Sequence, residues 1–358
     1  MRAESIVYAM GQQQSAFVVE IASPRLGNFQ RIPQKDPDEE ESTPSQWHIT
    51  VNPSANFLSS SEQLKSLVNR LYRTQKLISP SEARYLSTAL QCLDTTSDLL
   101  LPLLTVISNA TAFPSNQSIF SQFGITERIA TMLSRTHAAL SNPCKIMLVQ
   151  CIANMAVSNE NAAILQKSIP QLVKRLDSHL ELESTVAFQA LTNLSLNISS
   201  TQIDLFLPAI SICFKRLWVK GEANLNALRL LVNLSCCPDM VPHILAAKAV
   251  TGLLSVLDSD KPEVVLRTVI WLLCMSSAVE ALCISYDLIA PLNKDPFANP
   301  HYTVYFAIYA AKGRKELEKR LTELSSGEGE LATKSKRLLE TLARIPEARS
   351  CVSHLNRL

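Results

Sequence analysis

Six histidines and nine cysteines are the side chains of this 358-residue sequence best suited to metal, redox or nucleophilic chemistry, and their spacing supports none of it. His48, His137, His179, His243, His301 and His354 are scattered, with no second histidine at metal-ligand spacing and no His-Glu-x-x-His motif. No cysteine belongs to a Cys-x-x-Cys pair, and the adjacent Cys236 and Cys237 suit neither a redox couple nor a usual metal pair. Cys151, Cys213, Cys274 and Cys283 lie inside apolar runs and read as reduced core thiols of a cytosolic or nuclear compartment. A Gly-x-Ser-x-Gly elbow, a Walker loop and the kinase motifs are missing, so the expectation is a non-enzyme with no catalytic residue, metal ligand or cofactor.

What remains is the chemistry of amides. Five segments superimpose without gaps: Leu103 to Ala110, Leu148 to Met155, Ala187 to Leu194, Ala227 to Leu234 and Val265 to Leu272. Their seventh position holds Asn109, Asn154, Asn193, Asn233 and Trp271, at intervals of 45, 39, 40 and 38 residues. Four residues earlier stand Thr105, Gln150, Gln189, Arg229 and Arg267, one helical turn away on the same face. An amide carries both donors and an acceptor, so one Asn per unit can clamp the backbone of an extended peptide without reading its sequence. The competing reading is that each amide ties its own helix to a loop or a neighbouring helix. Trp271 is open between groove wall and core filler, given its neighbours Leu272, Leu273 and Cys274. Asn159-Glu160-Asn161 reads as a polar turn and cap.

Elements of helical period must position these residues. In every copy the positions six, three and two before the mark and one after it are apolar or small, apart from Thr268, which makes an i, i+3, i+4, i+7 stripe. Such a stripe needs neighbours to cover it, and a period near forty is that of stacked helical repeats. Between the copies, Ile119-Phe120, Ile164-Leu165 and Ile244-Leu245 each lead into a further amphipathic helix, expected over Ile125 to Leu133, Ile169 to Leu176 and Val250 to Leu257. Ser79-Pro80-Ser81-Glu82 is a capping box with proline at the first helical position, and Asn142-Pro143 and Asp260-Lys261-Pro262-Glu263 are similar starts. Only 8 glycines argue against β-hairpins and phosphate-cradling loops.

Three short-long-long helical units, with "ALTNLSLN" at Ala190 to Asn197 and "ALRLLVNLSC" at Ala227 to Cys236, resemble the armadillo-repeat family over roughly residues 60 to 290. The resemblance implies an all-α, right-handed solenoid whose third helices line a concave face, with the Asn positions forming a peptide-binding ladder. Nuclear import receptors of this fold carry tryptophan four residues before the Asn. Here Thr105, Gln150, Gln189, Arg229 and Arg267 replace it, so the slots for lysine stems are missing and Arg229, Arg267 and Trp271 point to an acidic or phosphorylated segment. Surface arginines paired with nearby Glu or Asp are the alternative. Within the family the two motifs look most like the mitochondria-associated Armcx-type group, whose members commonly have an N-terminal membrane anchor; none is visible here.

The expected organisation is a disordered leader over 1–58, rich in Gln, Ser and Pro and carrying the acidic run from Asp36 to Glu41, then an armadillo domain of about five repeats over 59–290 and a C-terminal helical cap over 291–358. The cap reading rests on the charged helix from Lys312 to Leu324, whose mixed charges give a stack its polar end. The leader's acidic run matches the expected ligand and is a candidate intramolecular plug. A formal charge of +2 is too small for a dedicated nucleic-acid binder, and no run approaches the ~18 uninterrupted apolar residues of a membrane span. The resulting function is an adaptor that captures a protein or peptide segment in the cytoplasm. A post at the mitochondrial outer membrane and an enzyme or exchange factor of unknown type are the alternatives.

Overall fold

Prolines and hydroxyls open the helices where the sequence reading places them. Glu82 N–H donates to Ser79 Oγ at 3.3 Å while Ser79 N–H donates to Glu82 Oε2 at 2.7 Å, which starts helix α2 (Pro80–Cys92). Pro143 lies in the first turn of α6 (Asn142–Met155) and Pro262 in that of α13 (Pro262–Leu282), but neither N-cap residue, Ser141 or Lys261, makes the side-chain cap bond seen at Ser79. The computed structural model describes residues 61–348 apart from 75, 76, 136, 197, 220 and 294–298. The 1–58 leader, its acidic run and Asp295-Pro296 lie outside the described residues. The chain divides into units 1–64 and 65–358, and the described part of the first is the opening of α1 (Ser61–Thr74).

All five marked segments are helical, in α3 (Leu100–Ala110), α6, α9 (Glu181–Leu194), α11 (Leu225–Ser235) and α13, and these pack one upon the next in that order. Every stripe position is buried, among them Leu103, Val106, Leu148, Cys151, Ala187, Leu191, Leu230, Leu234 and Leu272. Thr268, the one polar stripe residue, is buried too, because its Oγ1 donates to Val264 O at 2.8 Å within the helix. The chain is an all-α armadillo solenoid in which each helix covers the stripe of the one before.

Further helices form a second layer: α4 (Pro114–Gln122) and α5 (Ile125–Arg135), α7 (Asn159–Leu165) and α8 (Ile169–Arg175), then α10 (Ile203–Lys215) and α12 (Val241–Ala246). The amphipathic helix expected over Val250 to Leu257 is instead a 3-10 turn over Leu253–Asp258, since Gly252 takes the left-handed conformation, φ +73°, and Lys248 bridges to Thr303. A small hairpin, Trp218–Val219 paired with Glu222–Ala223, interrupts the helices, with Gly221 at φ +84° in its turn.

Beyond α14 (Tyr286–Ile289) and α15 (Val304–Tyr309) runs the charged helix α16 (Ala311–Ser325), close to the expected bounds. The sequence reading did not foresee α17 (Glu330–Arg344), which packs on α13 and α16 and adds one more helix to the row. Covered on both sides, α13 buries Trp271, Leu272 and Met275. It is also long and apolar enough to cross a membrane by length and composition, a test that the core helix of a stack passes equally.

Candidate functional site

Three of the four Asn residues of the row are tied to the helix before them by one repeated bond. Asn154 Nδ2 donates to Ser108 O (3.3 Å) and Ser108 Oγ (3.0 Å), Asn193 Nδ2 to Ala153 O (2.8 Å), and Asn233 Nδ2 to Thr192 O (2.8 Å) and Ser195 Oγ (3.3 Å). The acceptor carbonyl always belongs to the residue just before the preceding mark. These carbonyls lie in the last turn of a helix, where Ser108 O also accepts from Thr111 N–H at 3.3 Å and Thr192 O from Ser195 Oγ at 2.9 Å, so the amide adds a bond between helices to a turn that is partly capped already. Asn109, first in the row, is exposed and makes no side-chain hydrogen bond among the described residues.

An amide has a second N–H and an oxygen to spare. Asn154 Oδ1 accepts from Gln150 Nε2 at 2.8 Å, which joins the two expected positions within one helix. Among the described residues no hydrogen bond reaches Oδ1 of Asn193 or Asn233, and Gln189 makes none with its side chain; all three are half-buried. Thr105 is occupied with its own helix, its Oγ1 donating to Leu101 O at 2.8 Å.

Arg229 and Arg267 converge on one carboxylate: Arg229 Nη2 lies 2.5 Å and Arg267 Nε 3.9 Å from Glu263 Oε1. Burial, and then the neighbouring charge of Arg229, lower the Arg267 pKa against the pull of Glu263 and Glu330. Arg229 and Arg267 thus meet over Glu263, and the charge of Glu330 acts on Arg267 as well. Trp271 does not join them. It is 1% exposed, its ring 6.0 Å from that of Phe214, so its expectation as a partner-binding residue is corrected to core. The large ring packs on Phe214 of α10, away from solvent.

Two sets of residues escaped the sequence reading. Three positions past each Asn of the row stand Ala112, Val157, Leu196 and Cys236, which are apolar or weakly polar; Val157 is 44% and Leu196 52% exposed. Their equal spacing from the mark was the available signal. The second set is buried. Asn116 Nδ2 donates to Ala110 O (2.9 Å) and its Oδ1 accepts from Ile78 N–H (2.9 Å). Asn161 Nδ2 donates to Gln117 Oε1 (2.8 Å) and Gln117 O (3.0 Å), and its Oδ1 accepts from Thr126 Oγ1 (2.6 Å). Asn161 therefore lies within α7 as a buried cross-link, where the sequence reading placed a polar turn. Among the described residues no group of His, Cys, Asp and Glu could hold a metal ion.

A family model described as Armadillo-like matches residues 81–281. Among solved structures, the designed armadillo repeat protein YIII(Dq)4CqI is 20% identical with a TM-score of 0.53, over 73% of this chain and 100% of that one. The designed protein YIII(Dq.V1)4CPAF, solved in complex with the peptide (KR)4, is 19% identical with a TM-score of 0.54, over 73% and 99% of the two chains. An engineered protein of 18% identity and TM-score 0.54 covers 75% of this chain and 99% of its own. No curated protein matches.

Proposed function

The chain belongs to the Armadillo-like family, and we propose that it is a non-catalytic adaptor that holds an extended segment of a partner protein along its row of third helices. The observation that carries this reading is the unused hydrogen-bonding capacity of Asn193, Asn233 and Gln189 at half-buried positions one unit apart, next to the exposed Val157 and Leu196. The amides suit a peptide backbone and the apolar row suits its side chains. The designed relative solved with (KR)4 binds its peptide on this fold. Here the two arginines brought together, Arg229 and Arg267, favour an acidic or phosphorylated ligand over a basic one at that end. The Armcx-like motifs favour a post at the mitochondrial outer surface, and imaging a tagged full-length chain decides between that and the cytoplasm.

The test is capture of partners by the full-length chain. Replacing Val157→Glu with Leu196→Glu puts charge into the exposed apolar row without touching the core, so capture should fall at least about tenfold with an unchanged melting temperature. Lys174→Glu, on the exposed side of α8, serves as the control and should capture normally. Equal capture by both variants would overturn the reading.

A further inference from the structure

Cys236 and Cys274 occupy the same place in two successive units, three residues past Asn233 and three past Trp271, with their sulfurs 3.9 Å apart. We propose that they form a modification site, a dithiol that a peroxide converts into an internal disulfide joining α11 to α13.

Their surroundings divide the labour between them. Cys236 is the cap residue directly after α11 and is partly exposed, so a small oxidant reaches it; Cys274 is buried within α13. The contact with Cys236, and then burial, hold the Cys274 thiol well above the ordinary range, against smaller opposing effects of Ser235 and Lys334. Cys236 is therefore the thiol that a peroxide meets first. Closing the sulfurs to the ~2 Å of a bond requires about 2 Å of movement, and a residue beyond the last helical turn can supply it by rotation about χ1. The remaining buried thiols are unlike this pair. Cys151 donates to Leu104 O at 3.2 Å, and burial pushes the Cys151 and Cys213 thiols far up.

The chemistry balances without any group from the protein beyond the two thiols. The Cys236 thiolate attacks one peroxide oxygen, the O–O bond breaks, and hydroxide leaves to take up a proton as water, giving a sulfenic acid. Cys274 sulfur then attacks the Cys236 sulfur, the S–O bond breaks, and the hydroxyl leaves with the Cys274 proton as a second water. The two thiols supply two electrons and the peroxide receives them.

Full-length protein treated with stoichiometric hydrogen peroxide, then alkylated and digested, should yield a peptide pair linked through Cys236 and Cys274, and dithiothreitol should release it. The oxidised chain should melt higher by roughly 5 °C, because the bond closes a loop across two units. Cys236→Ser should abolish both the linked peptide and the shift. Recovery of both residues as alkylated thiols, linkage of Cys236 to Cys237 in place of Cys274, or sulfinic acid accumulating at Cys236 would each overturn the proposal.

Discussion

Glu183 shows how much a single side chain can be asked to do in this stack. It is buried at the start of α9, with its Oε1 2.6 Å from His137 Nε2 and 3.8 Å from Arg175 Nε, and its Oε2 accepts from Ser178 Oγ at 2.6 Å. Burial alone would raise its pKa, but the contacts with His137, Ser178 and Arg175 outweigh burial and lower it. A carboxyl lowered on folding stabilises the fold above its ordinary pKa and loses that contribution as pH falls through the lowered value. Glu183→Gln should therefore cost about 2 kcal/mol at pH 7, and the gap from the parent should shrink in urea titrations taken progressively below pH 4. Binding makes a second demand at this scale. Glu263→Gln removes the negative charge that Arg229 and Arg267 share, so it should tighten an acidic peptide severalfold in calorimetry, and Arg229→Glu with Arg267→Glu should weaken it. Loss of binding on Glu263→Gln would contradict the acidic preference. The arginine pair was legible from spacing, since both precede their marks by four. The His137–Glu183 contact was not, because its partners stand 46 residues apart and neither side chain departs from any local pattern.

At the scale of the helix, legibility followed periodicity. The five marked helices were readable because their stripes recur from copy to copy, whereas α17, though clearly two-faced with Ala332, Leu338 and Leu342 buried, has no copy in the repeat to be read against. Val250 to Leu257 erred the other way: an apolar run of helical period met a left-handed glycine and became a 3-10 turn. Contacts between helices were less readable still, because they depend on the meeting of residues far apart. Gly313, near the start of α16, sits so close to α15 that a Cβ there would lie 2.0 Å from Ala307 O. Gly313→Ala should force the two helices apart and cost about 2 kcal/mol or more, measured by thermal melting, while Gly327→Ala, with open space around it, should cost far less. Asn161→Ala removes the buried link between α7, α4 and α5 and should cost about 2 kcal/mol, against a near-neutral Asn109→Ala at the exposed head of the row.

Across the whole molecule the same amides have one structural use and, in the function proposed above, a second in binding. One N–H of each Asn from Asn154 to Asn233 fixes a helix to its predecessor, and Oδ1 of Asn193 and Asn233 accepts no hydrogen bond among the described residues. The sequence posed these as competing readings, ladder or tie, since a mark repeated every forty residues reveals recurrence and not direction. The bonds to the preceding helix settle the tie; the binding role rests on what each amide still has to offer. The sharpest measurement is site-specific photo-crosslinking in cells that express the full-length chain, with a photoreactive residue in place of Gln189 on the row of third helices or in place of Lys174 on α8. The account predicts a discrete partner adduct from position 189 that is absent from position 174. Adducts from 174 with none from 189 would show that partners meet a different face of the stack.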